Sequence, residues 1–244
     1  MSANFSSDHK RMILFDLNGT LIDEKATKKA AFIEALTLFT GRWSSDEPHM
    51  EPAQVHRMYE KEFLKARRQK PSFPARKLRQ TALKKALRAY PVPSDNDFAD
   101  AFFRTVAKQK KEQIRLYPDA VQTLEALSKK YELRIISNSR GYQISRSPLS
   151  AFFKENDIFT PEQAGRRKPD PRFYQAALKK WNVQPSECIM VGNSWKNDIV
   201  GAAKAGIDGI WIRKRQRYKL AYRKINRKKV IVIRSLQQLP AVIP

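Results

Sequence analysis

The stretch "MILFDLNGT", residues 12–20, places four uncharged apolar residues directly before a polar turn that begins with Asp16. A short, unbroken apolar run of this kind is typical of a strand that is buried on both faces, as in parallel sheets. Ligands of such sheets bind beyond the carboxyl ends of the strands. The stretch therefore predicts a buried first strand that delivers Asp16 to a reactive turn.

Similar apolar runs recur along the chain, and helical patterns separate most of them. This alternation predicts a doubly wound, Rossmann-like parallel α/β sheet with right-handed crossovers. The further predicted strands are "LRIIS" (133–137), "DIFT" (157–160), "CIMVG" (188–192), "GIWI" (209–212) and, nearer the edge, "VIVI" (230–233). The predicted helices between them span 118–130, 169–181, where Asp170 is the expected N-cap, and 197–206.

Residues 23–113 break this alternation, because no strand pattern occurs in them. Four amphipathic patterns predict helices instead. They are "KATKKAAFIEALTLFTG" (25–41), "PAQVHRMYEKEFLKARR" (52–68), "RKLRQTALKKALRAY" (76–90) and "DFADAFFRTVAKQKKEQ" (97–113). The sequence therefore predicts an α/β core, residues 1–22 and 114–244, with an all-helical domain of residues 23–113 inserted after the first strand.

Composition limits the setting and the partners. The chain has 244 residues, 41% of them hydrophobic, a single cysteine and a net charge of +24. One cysteine excludes an internal disulfide, and neither a signal peptide nor a membrane-length apolar run is present, so a reducing, cytoplasmic setting is expected. The charge attracts anions, which include small anionic substrates and nucleic acid, or it is only a solvated basic surface.

Residues that can carry chemistry follow the predicted strands or lie in the loops after them. If these strands are neighbours, a carboxylate, a hydroxyl, an ammonium and a group of oxygen donors converge in one crevice. That set suits an anionic substrate that a carboxylate attacks while a cation and hydrogen-bond donors neutralise developing negative charge. The residues are Asp16, Asn18, Gly19, Thr20, Ser137, Asn138, Lys168, Asn193 and Asp198.

Four signals in this order resemble the haloacid dehalogenase superfamily of hydrolases. "ILFDLNGTLID" (13–23) is similar to its first motif, and "RIISNS" (134–139) to its second. "RRKPDPRFY" (166–174) is similar to the third, and "IMVGNSWKNDIVGAAKAG" (189–206) to the fourth. Each motif alone is weak, whereas all four in order are specific. The inserted helical domain is similar to the family's cap in position, helicity and size.

The resemblance implies a role for each matching residue. Asp16 would be the nucleophile of a phospho-aspartyl intermediate, and the backbone carbonyl of Asn18 would bind Mg²⁺. Ser137 and Lys168 would contact the phosphoryl group, with Gly19, Thr20 and Asn138 around it. Asp16, Asn193 and Asp198 would complete the Mg²⁺ site, which needs only a few oxygen ligands beside water. The expected substrate is a small phosphorylated metabolite.

Two residues depart from the family pattern. Asn18 stands where the pattern has an acid–base aspartate, a group that typically contributes about 100- to 10,000-fold to the rate. Asn193 stands where an acidic metal ligand is common, so it keeps an oxygen donor but lacks its charge. A substrate with a good leaving group would suffer least from the first change.

Three functions therefore stay open. The first is a Mg²⁺-dependent phosphatase, and the second a metal-independent 2-haloacid dehalogenase, whose halide leaving group needs no acid. The third is a weakly catalytic protein that binds phosphate or nucleic acid through its basic surface. The segment 213–229 holds ten basic residues and no acidic one, with Tyr218 and Tyr222 between them. We expect it to be a solvated connection between the strands at 209–212 and 230–233 rather than a nucleic-acid patch. A helical lid over the strand ends separately argues against long nucleic acid as the substrate.

Overall fold

A computed structural model describes residues 10–40, 51–90, 92, 95–139, 144–215, 217 and 220–243 of the chain. Seven strands form one sheet in the order β3-β2-β1-β4-β5-β7-β6. All neighbouring strands are parallel except β6 and β7, which are antiparallel. The strands are β1 (Met12–Phe15), β2 (Glu132–Ile136), β3 (Ile158–Phe159), β4 (Cys188–Gly192), β5 (Asp208–Ile212), β6 (Leu220–Ile225) and β7 (Lys228–Ile233). The predicted doubly wound α/β core is confirmed.

The helices predicted from the sequence are present, and the four of the inserted segment match within a few residues, whereas the short helices 161–164 and 239–242 were not predicted. Asp170 accepts a hydrogen bond from the Arg172 N–H as the predicted N-cap. The α-helices are α1 (Glu24–Thr40), α2 (Pro52–Gln69), α3 (Ala75–Leu87), α4 (Asn96–Glu112), α5 (Ala120–Ser128), α6 (Pro161–Ala164), α7 (Pro171–Lys180), α8 (Gly201–Lys204) and α9 (Leu239–Val242). A π-helical segment, Trp195–Val200, directly precedes α8 and replaces the predicted start of that helix at residue 197.

One prediction about this end of the sheet is wrong. The basic segment 213–229 is not merely a connection, because β6 forms within it and pairs with β7 in a hairpin. The strand β6 is the edge strand, and β7 is second from the edge, so the "VIVI" strand lies nearer the edge as predicted. Charged side chains along β6 hid its strand pattern, although charged residues are common on exposed edge strands. Tyr218 of this segment lies outside the described residues.

The alternating side chains of β1 pack into two separate apolar layers, as expected for a strand covered on both faces. Ile13 and Phe15 belong to a layer with α5 and α9. Met12 and Leu14 belong to the opposite layer, with α7. Cys188 is buried in this second layer as a free thiol. Because β1 is paired on both sides within the sheet, the turn that follows it starts from a rigid strand.

The chain divides into two compact units, one of residues 1–24 and 114–244 and the other of residues 25–113. The helical unit has its own apolar core, in which Phe32, Leu83 and Phe102 are almost completely buried. Within the described residues, no helix is long and apolar enough to cross a membrane.

Candidate active site

Strand register brings the ends of the three central strands to one level of the sheet. Phe15, the last residue of β1, lies beside Ile135 in β2 and Val191 in β4. The Asp16 N–H still donates to the Val191 carbonyl at 2.9 Å, which fixes the main chain at the strand end. Residues that follow β1, β2 and β4 therefore converge at one edge, as the strand pattern predicts.

Asp16 is nearly buried, with 7% of its surface exposed. Its Oδ2 accepts a hydrogen bond from the Thr20 hydroxyl at 3.1 Å, and its Oδ1 lies 2.7 Å from the Lys168 ammonium. The carboxylate is thus held by one neutral and one charged donor. Such hydrogen bonds fix its orientation toward the end of the sheet.

The turn after Asp16 depends on Gly19, whose φ is +82°. This left-handed region is costly for residues with a Cβ. A Cβ there would also lie only 2.4 Å from the Asn193 amide nitrogen. The Gly19 N–H donates to the Ile22 carbonyl at 2.8 Å, which closes the turn and returns Thr20 toward Asp16. The predicted Gly19-Thr20 turn therefore has both a conformational and a steric cause.

Lys168 connects two carboxylates that are far apart in sequence. Its Nζ lies 2.7 Å from Asp16 Oδ1 and 2.7 Å from Asp198 Oδ1, and its side chain is almost completely buried. Burial alone lowers the pKa of Lys168, but the charges of Asp16 and Asp198 outweigh this and raise it. The ammonium is therefore charged and shared between the two carboxylates.

Asn138 positions the main chain of Lys168. Its amide group donates to the Lys168 carbonyl at 2.9 Å, and its carbonyl oxygen accepts from the Lys168 N–H at 2.8 Å. This paired contact joins the end of β2 to the loop before α7. The Asn138 side chain thus fixes the position of Lys168 in this loop.

Asp198 lies on the π-helical segment and is buried. Its Oδ2 accepts the Ser194 N–H at 2.8 Å, while Oδ1 binds Lys168. Burial raises the pKa of this carboxyl to about 6, which Lys168 opposes and the charge of Asp16 supports. A Cβ at position 192 would lie 2.4 Å from the Asp198 carboxyl, so Gly192 provides the room for this side chain.

Tyr174, on α7, contacts the π-helical segment that carries Asp198, and it was not predicted from the sequence. Its hydroxyl donates to the Asn197 carbonyl, and its ring is completely buried. Burial raises the pKa of this phenol well above its ordinary value. The hydroxyl therefore stays a neutral donor. Only the spacing of apolar residues in α7 indicated that Tyr174 would face inward.

Ser137, Ser139 and Asn18 form a second chain of contacts beside Asp16. The Ser139 N–H donates to the Ser137 hydroxyl at 3.1 Å, and the Asn18 amide donates to the Ser139 hydroxyl. The other end of this amide, Asn18 Oδ1, is buried without a hydrogen-bond partner among the described residues. Ser139 was not among the predicted site residues, although it lies in the same polar run as Ser137 and Asn138.

Asn193 is the most exposed of the predicted site residues. Its side-chain oxygen lies 3.5 Å from the Thr20 hydroxyl, and its carbonyl accepts the indole N–H of Trp211 at 3.0 Å. The structure therefore joins all nine predicted residues at one end of the sheet, directly or through Ser139. Among the described residues, no group of three or more acidic, histidine or cysteine side chains is placed to hold a metal.

The parallel sheet thus ends in a buried cluster in which Lys168 joins Asp16 and Asp198. A family model of haloacid dehalogenase-like hydrolases matches residues 10–206 of the chain. The chain therefore belongs to this family.

The chain is similar both to phosphatases and to 2-haloacid dehalogenases. The chain is 34% identical to a glyceraldehyde 3-phosphate phosphatase of Methanothermobacter thermautotrophicus over 41% of its own length and 45% of that protein. It is thus matched to less than half of that phosphatase. It is 27% identical to (S)-2-haloacid dehalogenase 4A of Burkholderia cepacia over 84% of each chain.

The fold itself has solved counterparts. The HAD-hydrolase YfnB of Bacillus subtilis, crystallised with magnesium, superposes with a TM-score of 0.65 over 97% of this chain and 99% of that one. Only 19% of the residues are identical. At this identity the likeness establishes the fold alone.

Proposed function

We propose that the protein is a phosphatase that hydrolyses a small phosphomonoester with Asp16 as the nucleophile. The observation that carries this proposal is the buried Lys168 ammonium, 2.7 Å from both Asp16 and Asp198. The ammonium places a positive charge against the Asp16 carboxylate at a strand end, where a ligand of such a sheet binds. A carboxylate that is fixed by protein contacts can act as a nucleophile for group transfer.

In the first step, an Asp16 oxygen forms a bond to phosphorus while the bond between phosphorus and the ester oxygen breaks. The ester oxygen leaves with the bonding electrons and takes up one proton. In the second step, water attacks phosphorus, the acyl-phosphate bond breaks, and inorganic phosphate leaves as the Asp16 carboxylate is restored. Two easier displacements thus replace one difficult one.

Lys168 and Ser137 support these steps through charge and hydrogen bonding. The ammonium is shared between two carboxylates in the free protein, so it can also offset the charge of a phosphoryl group near Asp16. The Ser137 hydroxyl accepts a hydrogen bond from the Ser139 N–H, so its own proton can be donated to a phosphoryl oxygen. A hydroxyl accepts and donates at the same time.

Because residue 18 is an asparagine, no carboxylic acid is present at this position to donate a proton in the first step. Its amide donates to the Ser139 hydroxyl and cannot release a proton to the leaving oxygen. The leaving group must then take its proton from solvent. This favours substrates whose leaving groups are weak bases, such as acyl or aryl phosphates, over simple alkyl phosphates.

The oxygen donors at this end of the sheet fit Mg²⁺, the metal that the family resemblance implies. The Ile22 N–H donates to the Leu17 carbonyl, and the Gly19 N–H donates to the Ile22 carbonyl. Neither of these hydrogen bonds uses the Asn18 carbonyl. The Asp16 and Asp198 carboxylates and the exposed Asn193 amide supply further hard oxygen donors. When bound, Mg²⁺ would offset charge on phosphoryl oxygens. The residues that would hold it are Asp16, Asn18, Asn193 and Asp198.

One observation favours 2-haloacid dehalogenation as a second candidate function. Asn18 is an amide, and a halide leaves with its electron pair and needs no proton. In that reaction Asp16 would bond to carbon as the carbon–halogen bond breaks, and water would then hydrolyse the ester. The dehalogenase from Burkholderia cepacia, matched over 84% of each chain, supports keeping this candidate.

A hydrolysis panel separates these functions. We would measure release of phosphate and of halide from sugar phosphates, nucleotides, aryl and acyl phosphates and 2-haloacids, each with Mg²⁺ and with EDTA. The proposal predicts Mg²⁺-dependent phosphate release that Asp16→Asn abolishes. The charge-matched control Asp97→Asn, at an exposed position in α4, should retain it.

Two other outcomes would reject the phosphatase. Halide release that is insensitive to EDTA would establish the dehalogenase. No turnover of any compound, together with salt-sensitive nucleic-acid binding, would favour the weakly catalytic binding protein.

A further inference from the structure

A cavity of about 290 Å³ opens beside the catalytic turn, and none of the proposed steps uses it. Gly19 and Asn193 form the wall that it shares with the catalytic end. The opposite wall comes from the end of β5 and the residues after it. This second wall consists of Trp211, Ile212, Arg213, Lys214 and Arg215, and Tyr117 completes the lining.

Strand register explains why these cations lie at the same edge of the sheet as Asp16. Gly192, the last residue of β4, lies beside Trp211 in β5. Arg213 directly follows β5, just as Asn193 directly follows β4. Three consecutive basic side chains therefore follow a strand end that is next to the catalytic one.

The aromatic side chains of this region hold the cations rather than offer free faces. The Arg213 guanidinium lies 5.2 Å from the centre of the Trp211 ring, and the Lys214 ammonium lies 2.9 Å from that of Tyr117. Trp211 also contacts Trp195, with ring centres 4.8 Å apart. A guanidinium stacked on an indole keeps its hydrogen-bond donors free and loses less mobility on binding. The cavity is thus suited to an anion rather than to stacking of a base.

The charges within the cavity are not fully balanced. Burial lowers the pKa of Lys214, and the charges of Asp23 and Asp119 oppose this effect, so that lysine already has acidic neighbours. Arg213 and Arg215 have no carboxylate within 4.0 Å among the described residues. Two arginines therefore face a small cavity without a counter-charge, and arginine is the side chain that binds phosphate and carboxylate groups through paired donors.

We propose that this cavity is an anion-binding subsite in which Arg213 and Arg215 bind a phosphate or carboxylate group beside the catalytic turn. Its volume is at the lower end of ligand pockets, so it accommodates one small anionic group. The anion is either a second acidic group of the substrate or a free anion such as the phosphate product. The first source rests on the phosphatase activity proposed above, whereas anion binding itself does not.

Calorimetric titration with inorganic phosphate tests the subsite without any turnover. Divalent cations are left out, so that Asp16 and Asp198 repel phosphate from the catalytic end. We compare the wild type, an Arg213→Gln/Arg215→Gln variant and a Lys179→Gln/Lys204→Gln variant, which loses the same charge at exposed positions outside the cavity. The expected result is binding to the wild type and the lysine variant, and binding about tenfold weaker or more in the arginine variant, as for loss of a charge-assisted hydrogen bond.

Three results would overturn the subsite. They are equal phosphate affinity in the arginine variant and the wild type, an equal loss in the lysine variant, and no binding to the wild type. The second would mean that the overall positive charge attracts the anion. Because each of these results is obtained without catalysis, failure of the subsite is distinct from failure of the phosphatase proposal.

Steady-state kinetics then distinguish the two sources of the anion. If the anion is part of the substrate, the arginine variant raises KM for a carboxylated aryl phosphate and leaves KM for the uncharged aryl analogue unchanged. If it is the free product, both KM values stay the same and inhibition by added phosphate weakens. The Arg213→Lys/Arg215→Lys variant, which keeps the charge, should recover part of either effect.

Discussion

The two groups of charge at the carboxyl edge of the sheet differ in burial and in pairing. At the catalytic end, Lys168 and Asp198 are completely enclosed, and every carboxylate oxygen of Asp16 and Asp198 has a hydrogen-bond donor. In the cavity beside it, Arg213 and Arg215 are exposed and lack a carboxylate partner among the described residues. Buried charges must be paired within the fold, whereas exposed charges are available for a ligand. Under the two proposals, chemistry and anion recognition occupy neighbouring places at this edge of the sheet.

The largest expected effect comes from removing the proposed nucleophile. Asp16→Asn should lower hydrolysis by several orders of magnitude, because an amide cannot form the covalent intermediate. Phosphate or halide release on the substrate panel measures the effect. The fold should persist, since Lys168 keeps its contact with Asp198. Full activity in a folded variant would break the assignment of chemistry to the buried group.

The second effect concerns the proton that Asn18 cannot supply. Asn18→Asp should raise turnover of alkyl phosphates, with an upper limit of about 100- to 10,000-fold for a general acid. Aryl phosphates, which need little proton donation, should gain much less and serve as the internal control. Unchanged or lower rates for both substrate types would mean that Asn18 is adapted to a different reaction.

The third effect is on stability and tests how much the buried carboxylates depend on their shared cation. Lys168→Met leaves Asp16 and Asp198 enclosed without their shared cation, which should cost about 3–5 kcal/mol of unfolding free energy. Lys179→Met, at an exposed position on α7, should change it by less than about 0.5 kcal/mol. Urea unfolding near neutral pH measures both. Equal effects of the two substitutions would contradict the contrast between buried and exposed charge.

The unfolding free energy should depend on pH, and the sign of this dependence follows from the Asp198 carboxyl. Its pKa in the folded protein is raised to about 6, mainly by burial. The folded state therefore holds this proton more tightly than the unfolded state, and the contribution of Asp198 to stability falls as pH rises from about 4 to 6. Removing Lys168 should extend that fall to higher pH, because the charge that opposes the rise of the Asp198 pKa is lost. A fall that ends at the same pH as in the wild type would be inconsistent with this cause.

The smallest effect concerns the support beneath Asp198. Tyr174→Phe keeps the buried ring but removes the hydroxyl that donates to the Asn197 carbonyl. Loss of one such hydrogen bond should lower the unfolding free energy by about 1 kcal/mol. Phe173→Leu, a change in the same apolar layer, provides a comparison in which packing changes without loss of a hydrogen bond. Retained stability in Tyr174→Phe would show that this contact contributes little.

The sequence predicted most of the core, and the exceptions have physical causes. Strands such as β1 and β4 are apolar throughout because both of their faces are covered, so their pattern is unambiguous. The edge strand β6 is largely exposed and carries charge, so its local pattern is that of a solvated segment. Its strand state depends on pairing with β7, which no local pattern specifies.

The site was predictable where a residue follows a strand and less so where it acts through another residue. Asp16 directly follows an apolar run, and Asp198 lies in the helical pattern that follows another, so both charged residues have a local sequence signal. Ser139 and Tyr174 act as partners of Asn18 and Asn197, and their importance appears only once distant segments meet. The basic cavity escaped notice for the same reason, since Gly19 and Arg213 are 194 positions apart in the numbering of the chain.

Trapping the covalent intermediate tests the central claim most directly. The wild type and Asp16→Asn are mixed with an aryl phosphate and Mg²⁺, quenched in acid during turnover, and the peptide that contains residue 16 is analysed by mass spectrometry. The proposal predicts one phosphoryl group on Asp16 in the wild type and none in the variant. Rapid phosphate release by the wild type, with the phosphoryl group absent from Asp16 or found on another residue, would contradict it.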